Sequence, residues 1–258
     1  MSGRLKFNAV MIGALAIAVV LASWVVHGVL QRDARQHVLQ RANLLMAAAE
    51  ATRSYTTQFI KPQLDQRLDV EFLPQTVPAF AATETVISLR KQFPEYTYKE
   101  ATLNPTNPRN RTTDWEADIV NMFRSDLAKT EIIGERMQGP VASLYIAKPI
   151  KVSSPSCLSC HATPSSAPAS MIKLYGEANG FGWKHDEIIG AQIVSVPVSV
   201  SEGSSSGPFW VIVGVLIALS AVAVLVGNLM FGSGRGGSSA VPVPETGESA
   251  GSRRWARR

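Results

Sequence analysis

The chain has 258 residues, of which 46% are hydrophobic and 17% charged, and its formal net charge is +5. Once two long apolar stretches are set aside, this length leaves room for one soluble core at most. The net charge does not indicate nucleic-acid binding, because several basic residues lie in the C-terminal segment beside an apolar stretch, where anionic membrane lipid is the nearer partner.

The first predicted element is an apolar stretch without charged residues, residues 7–30. It is long enough to cross a hydrocarbon core of about 30 Å as a helix, and residues 209–231 form a second such stretch. The first stretch exceeds the apolar segment of about 7–15 residues in a cleaved signal peptide and lacks a clear cleavage site, which favours an uncleaved anchor. Residues 1–6 and 232–258 should therefore share one side of the membrane.

The distribution of basic residues predicts on which side of the membrane the two terminal segments lie. Seven of them flank the two stretches on the terminal side: Arg4, Lys6, Arg235, Arg253, Arg254, Arg257 and Arg258. The positive-inside rule assigns this side to the cytoplasm of a bacterial inner membrane, and residues 31–207 to the periplasm. Arg32, Arg35 and Arg41, just beyond the first stretch, count against this orientation. Residues 232–258 are rich in Gly, Ser and Pro without periodicity, which predicts a disordered basic tail.

Residues 31–62 predict a helical stalk that continues the first membrane helix. Apolar or small residues recur there in steps of four and three, at Val38, Ala42, Leu45, Ala49, Thr52, Thr56 and Phe59. The helix should run until Pro62. Its stripe should pack on the domain's own core rather than on a second copy of the chain, because Ala and Thr make a weak coiled coil. A homodimer through this stalk is the alternative.

Residues 63–207 predict an α+β domain, an antiparallel sheet flanked by helices. Alternating or apolar runs predict strands at 96–101, 131–137, 141–150 and 188–200. Helical spacing predicts helices at 80–93, at 171–175 and after a cap at Asp114. The last of these should bury four residues, Trp115, Ile119, Met122 and Phe123. Two Asn-Pro steps make residues 104–111 a loop, and Gly180 and Gly182 predict a turn with positive φ.

The strongest chemical signal is Cys157-Leu158-Ser159-Cys160-His161, which holds both cysteines of the chain. Two thiols at this spacing followed at once by histidine are typical of c-type haem attachment. The cysteines would bond the two vinyl groups, and the histidine would lie under the iron as proximal ligand. The pattern therefore predicts one covalent haem c, held by Cys157, Cys160 and His161. Because haem c is attached after the chain has been translocated, the motif also agrees with a domain on the periplasmic side.

Other interpretations of the two cysteines are a redox dithiol, half of a zinc site and a structural disulfide. A redox dithiol should follow a strand and open a helix of a βαβ unit, which the predicted antiparallel sheet lacks. A zinc site would need more ligands than the motif offers. A dithiol redox protein or a non-haem structural or accessory protein remains the alternative function.

The sixth iron ligand is left open by the sequence. The candidates are Met46, Met122, Met137, Met171, His37 and His185, or a vacant position. Arg109 and Arg111 could pair with the haem propionates, because a guanidinium group suits carboxylates, although each could equally be a solvated loop residue. No acid-base pair, nucleophile triad or phosphate loop is present, so no enzyme is predicted.

Six sequence blocks carry a resemblance to a known family: YKEATLNPTNPRNR, DWEADIVNMFR, LYIAKPIKV, CLSCHATPSSAP, LYGEANGFGWK and EIIGAQIVSVPVSV. Over residues 51–200 the chain resembles the periplasmic PAS-like c-type haem domains of the Tll-like haem family. The resemblance implies a PAS-like sheet holding one haem, with Cys157, Cys160 and His161 at the attachment positions. In that family the domain stands alone as a monohaem cytochrome or serves as the input module of membrane kinases, cyclases and chemoreceptors.

Two departures from the family limit what the resemblance implies. Some members use a cysteine on the N-terminal helix as the sixth ligand, but no cysteine lies between Met1 and Ser156 here. No output domain is expected after the second apolar stretch, so a signal would have to pass to a separate protein. The expected function is thus a membrane-anchored periplasmic haem protein that senses redox state or a small ligand, or that transfers single electrons to a partner.

Overall fold

The computed structural model describes residues 3–68 and 70–233 of the chain. The helices are α1 (Gly3–Tyr55), α2 (Lys61–Leu64), α3 (Pro78–Leu89), α4 (Asp114–Ser125), α5 (Pro155–His161), α6 (Ala169–Tyr175) and α7 (Ser199–Ser233). The strands are β1 (Thr97–Thr102), β2 (Ile132–Gln138), β3 (Val141–Lys151) and β4 (Ile188–Pro197). Most of the predicted tail, residues 234–258, lies outside the described residues, as do residues 1–2.

The four strands form one antiparallel sheet in the order β1-β4-β3-β2. The turn between β2 and β3 contains Gly139 at a φ of +61°, a conformation that glycine adopts without steric cost. The mixed helix and antiparallel-sheet architecture predicted from the sequence is confirmed. The last strand ends at Pro197 rather than at residue 200, because α7 already begins at Ser199.

One face of the sheet packs against α1 and α3. The stripe on α1 is buried at Val38, Ala42, Leu45 and Ala49, together with Val86 of α3 and four sheet residues, Leu144, Ile146, Val194 and Val196. The core-facing interpretation of the stalk is therefore correct for most of the stripe. Phe59 is the exception, since 59% of it is exposed.

A π-helical turn at Thr56–Ile60 explains both this exception and the continuation of the helix past Pro62. Proline has no N–H to donate and its ring conflicts with the carbonyl four residues earlier. A wider turn immediately before Pro62 relieves this steric conflict, so the chain continues into α2. The same turn changes the helical phase, so Phe59 leaves the buried stripe.

The opposite face of the sheet packs against α4, whose Ile119, Val120 and Phe123 are buried. The predicted cap at Asp114 is wrong by one residue. Thr113 caps the helix, and the Glu116 carboxylate accepts a hydrogen bond of 2.7 Å from the Thr113 backbone N–H, which is a capping box. Met122 is 40% exposed, because Val120 takes the place on the buried face that the prediction gave to Met122.

Among the residues that the structure describes, two helical stretches are long and apolar enough to cross a membrane, Leu5–Arg67 and Phe209–Met230. The first stretch up to Ser23 and the second stretch from Ile212 onward belong to one compact unit. Within that unit the Asn8 side-chain amide donates to the Asn228 Oδ1 at 2.9 Å. Hydrogen bonds between polar side chains are a common means of associating helices in lipid.

Candidate functional site

The sheet domain contains a cavity of about 450 Å³ between the C-terminal part of α1 and the sheet. Its walls come from α1 and the π turn, the start of α3, residues 105–110, the end of β3, and α5. The wall combines apolar side chains, among them Phe72, Phe80, Ile150 and Ile189, with about as many polar ones, although most of its surface is apolar. This combination is typical of a cofactor site.

Helix α5 places the three predicted site residues in the wall of this cavity. It begins at Pro155, and the cap residue Ser154 accepts a hydrogen bond of 3.2 Å from the Ser156 backbone N–H. Residues three and four apart lie on the same side of a helix. The spacing of Cys157, Cys160 and His161 therefore directs all three side chains to the cavity, which each of them lines. Both thiols are free and partly buried.

The His161 imidazole is held in one orientation by two contacts. Its Nδ1 lies 2.7 Å from the carbonyl oxygen of Gly180, and its ring stacks on Trp183 with the centroids 3.8 Å apart and an interplanar angle of 17°. Because a carbonyl oxygen only accepts, Nδ1 carries the proton and Nε2 carries the free lone pair. Burial lowers the pKa of His161, and the hydrogen bond to Gly180 partly opposes this change. The ring thus presents a neutral nitrogen, Nε2, that is able to bind a metal.

The loop that supplies Gly180 is held by the residues of the Asn-Pro loop. Asn104 Nδ2 donates to the Phe181 carbonyl at 3.2 Å, and Asn104 Oδ1 accepts from the Gly180 N–H at 3.2 Å. Gly180 has a φ of +86°, and a Cβ there would lie 2.8 Å from the Cα of Thr106. Both the backbone conformation and the close approach require glycine at this position.

A buried polar cluster lies at the α1 side of the cavity. Arg53 Nη1 donates to both carboxylate oxygens of Glu100 at 2.6 Å, and the Tyr98 hydroxyl donates to Glu100 Oε1 at 2.5 Å. Burial and the neighbouring Glu100 carboxylate raise the pKa of Tyr98, so its hydroxyl stays protonated. Burial acts to lower the pKa of Arg53, but the Glu100 carboxylate and Tyr98 raise it, and the net direction is upward. The cluster therefore holds a charged pair between α1 and β1.

Replacing Arg53 by methionine is expected to lower the free energy of unfolding by about 3 kcal/mol, because it leaves a buried carboxylate without its cation. Only 1% of the Glu100 side chain is exposed, whereas 26% of Arg53 is, which places the expected loss at the lower end of the range for buried pairs. The measurement is denaturant unfolding of the detergent-solubilised protein.

The matched control is Glu84→Gln, which breaks the ion pair of Glu84 with Arg109 at 2.6 Å. These side chains are 44% and 32% exposed, so the control should lose less than about 1 kcal/mol. If Arg53→Met lost no more free energy of unfolding than the control, Glu100 would not be a buried charge that depends on Arg53.

The two arginines considered for propionate binding differ in position. Arg109 lines the cavity, lies over the Phe80 ring at 4.6 Å and bonds to Glu84. Arg111 is outside the cavity lining and donates to Asn179 Oδ1 at 2.9 Å. Tyr175 is close to Arg109: burial raises the pKa of Tyr175, and Arg109 and a hydrogen bond with Asn107 oppose that shift.

Of the six candidates for the sixth ligand, Met171 alone lines the cavity among the described residues. Met46 is buried in the core between α1 and the sheet. The other four, Met122, Met137, His37 and His185, are exposed. His37 lies 3.4 Å from Asp33, and His185 lies 3.7 Å from Asp186.

Several residues of the site were not singled out from the sequence: Arg53, Tyr98, Glu100, Asn104 and Trp183. Gly180 was predicted only as part of a turn with positive φ. Its place in the glycine-rich segment between α6 and β4 was the one sequence feature that pointed to it. In the described part of the chain, no three His, Cys, Asp or Glu side chains converge on a metal position. The zinc interpretation of the cysteines thus finds no further ligands there.

Residues 31–197 match the family model described as Tll0287-like, which is more than half of the chain. No curated protein matches. Among solved structures, the chain is similar to the cyanobacterial haem protein Tll0287, with 16% sequence identity and a TM-score of 0.49. That likeness covers 62% of this chain and 94% of the other.

Proposed function

This chain belongs to the Tll0287-like family, and from that premise we propose that it binds one haem covalently through Cys157 and Cys160, with His161 as axial ligand. The observation that carries the proposal is that both thiols and the imidazole line one cavity of about 450 Å³. Cofactor cavities commonly measure about 300–1,000 Å³. The chemistry of the three side chains is that of a c-type haem site.

The protein's own contribution is to fix the donor atoms. Helix α5 holds the two thiols at the cavity wall, and the Gly180 carbonyl keeps the proton of His161 on Nδ1. The apolar part of the wall limits the access of water and strengthens electrostatic interactions inside the cavity. A bound haem would supply an iron centre that changes its charge by one electron and accepts small ligands.

Arg109 is proposed to bind a haem propionate. It lines the cavity beside Tyr175 and Asn107, both able to donate hydrogen bonds to a carboxylate. Its partner Glu84 is 44% exposed and could turn toward water when a propionate takes its place. Arg111 has no comparable position, since it lies outside the cavity lining and bonds to Asn179.

Transfer of single electrons is the function we favour, and the position of Met171 supports it. Met171 is buried and lines the same cavity as His161, and methionine together with histidine would hold a haem as in electron-carrying cytochromes. Sensing of a small ligand is the second candidate. It is supported by polar residues that also line the cavity, namely Ser54, Thr57 and Thr106, because hydroxyl groups can bond to an iron-bound ligand.

Binding of carbon monoxide distinguishes electron transfer from sensing of a small ligand. The visible spectrum of the reduced protein, produced in a host with c-type haem maturation, should not move with CO if Met171 occupies the sixth position. Met171→Leu should then make the iron bind CO, whereas the control Met122→Leu should not, because Met122 is exposed on α4. A CO-induced shift in the unmodified protein would instead support ligand sensing. A protein without haem would leave the dithiol or structural alternative.

We also propose that the sheet domain is PAS-like, anchored to a bacterial inner membrane by two helices and exposed to the periplasm. The antiparallel sheet, the two apolar stretches and the basic termini support this arrangement. A separate protein would receive the electron or the signal. A homodimer through α1 would have to use the face with Leu44 and Tyr55, which are exposed, because the opposite stripe packs in the domain's own core.

A further inference from the structure

The side chain of Asn104 bonds to the backbone on both sides of one peptide unit. Its Oδ1 accepts from the Gly180 N–H and its Nδ2 donates to the Phe181 carbonyl, each at 3.2 Å. The peptide between these two groups carries the Gly180 carbonyl oxygen. That oxygen accepts the hydrogen bond from His161 Nδ1 at 2.7 Å. Asn104 is therefore joined to the imidazole through a single clamped peptide.

We propose that Asn104 is a positioning residue that fixes the orientation and the proton of the axial ligand His161. This inference rests on the proposed haem function and deepens it. Asparagine is suited to the role because its amide offers an acceptor and a donor on one rigid plane. Aspartate at this position would keep the acceptor for the Gly180 N–H but would turn a carboxylate oxygen toward the Phe181 carbonyl.

The surroundings of the clamp give the Gly180 peptide few alternatives. The φ of Gly180 is +86°, and Thr106 lies so close that a Cβ on Gly180 would be 2.8 Å from the Thr106 Cα. The Thr106 hydroxyl lies 3.5 Å from His161 Nδ1. Loop residues 104–106 thus contact both the peptide that orients the histidine and the histidine itself.

The expected electronic effect follows from this chain of hydrogen bonds. A hydrogen bond from Nδ1–H to a fixed acceptor makes the imidazole a stronger base and a stronger ligand. A stronger nitrogen donor favours Fe(III) over Fe(II), because the oxidised iron carries the higher charge. Loosening the Gly180 carbonyl should therefore shift the equilibrium toward Fe(II), which raises the reduction potential.

The experiment compares full-length haem-loaded protein with Asn104→Asp and Asn104→Ala. Both variants should keep covalent haem, because the thioether bonds do not involve this loop. Loss of an outer partner of a metal ligand commonly changes metal binding about tenfold or more. A tenfold shift in the one-electron equilibrium corresponds to about 59 mV. The readouts are the reduction potential and the electron paramagnetic resonance signal of the oxidised iron.

The matched control is Asn179→Ala. Asn179 is adjacent to Gly180 and accepts a hydrogen bond from Arg111 at 2.9 Å, so its loss loosens the same loop without touching the clamped peptide. The proposal predicts an upward shift in potential in the Asn104 variants and less than a threefold change in the control. An unchanged potential in both Asn104 variants would overturn it, and so would an equal shift in Asn179→Ala.

The failure of this inference is distinguishable from the failure of the proposed function. Unmodified protein that carries no haem would remove the proposed function, whatever the loop does. Haem-loaded variants with an unshifted potential would remove only the role of Asn104. Variants that lose haem while Asn179→Ala keeps it would assign Asn104 to folding or attachment, which also contradicts a positioning role.

Discussion

Replacing Cys157 and Cys160 together by alanine will leave the protein without covalently bound haem, while the chain still folds. Both thiols line the cavity and neither bonds to another cysteine in the structure, so their removal breaks no cross-link. The core around the sheet does not involve either residue. Each single variant should retain one thioether bond and a weaker signal. The measurement is haem staining after denaturing electrophoresis, together with the mass of the intact chain.

Ser159→Ala is the control for this experiment. Ser159 lies between the two cysteines on the same helix, and its hydroxyl donates to the Ser156 carbonyl at 2.7 Å, so its replacement makes a similarly small change to α5. This variant should stain as strongly as the unmodified protein. Haem that survives denaturation in the double cysteine variant would exclude attachment through these thiols.

The predictable parts of the fold are those that depend on local patterns. Alternating or apolar runs located all four strands. Neighbouring side chains on a strand point to opposite faces, and β4 reads as an apolar run because both of its faces are buried. The errors are at the ends of elements and at α5, a helix that was not predicted. Pro78 begins α3 two residues before the predicted start, since proline is favoured at the first helical position, and Thr113 rather than Asp114 caps α4.

The residues that complete the candidate site could not be predicted, because their contacts join distant parts of the chain. Arg53 meets Glu100 across 47 residues of sequence, and Asn104 meets Phe181 across 77. Neither pair has a spacing that a helix or a strand would impose. The cysteines and His161 differ in this respect, since seven consecutive residues of α5 are enough to bring them together.

Met122 shows how a local pattern can mislead even within one helix. It lies three residues after Ile119 and should share its face, yet it is exposed while Val120 is buried. The sheet under α4 accepts a face that includes Val120, and this choice is made by packing rather than by spacing. Met122, a candidate ligand on a predicted apolar face, is therefore exposed to solvent. Met171, on a helix of seven residues, lines the cavity.

Replacing His161 by glycine should leave haem attached but remove the axial nitrogen from the iron. The two thioether bonds do not depend on the imidazole, so haem staining should persist. The visible spectrum of the reduced protein should change to that of a haem without its proximal histidine, and added imidazole should restore the original spectrum in the space left by the ring. Visible spectroscopy with and without imidazole measures both effects.

His185→Gly provides the comparison, because both histidines lie outside the apolar stretches but only His161 faces the cavity. His185 is exposed and lies 3.7 Å from Asp186, whereas His161 lines the cavity and burial lowers its pKa. At neutral pH His161 is therefore deprotonated at Nε2 and ready to bind iron without first losing a proton. His185→Gly should leave the spectrum unchanged. If His185→Gly altered the spectrum and His161→Gly did not, the axial ligand would not be His161 on α5. The Gly180 carbonyl would then lack its proposed role of orienting that ligand.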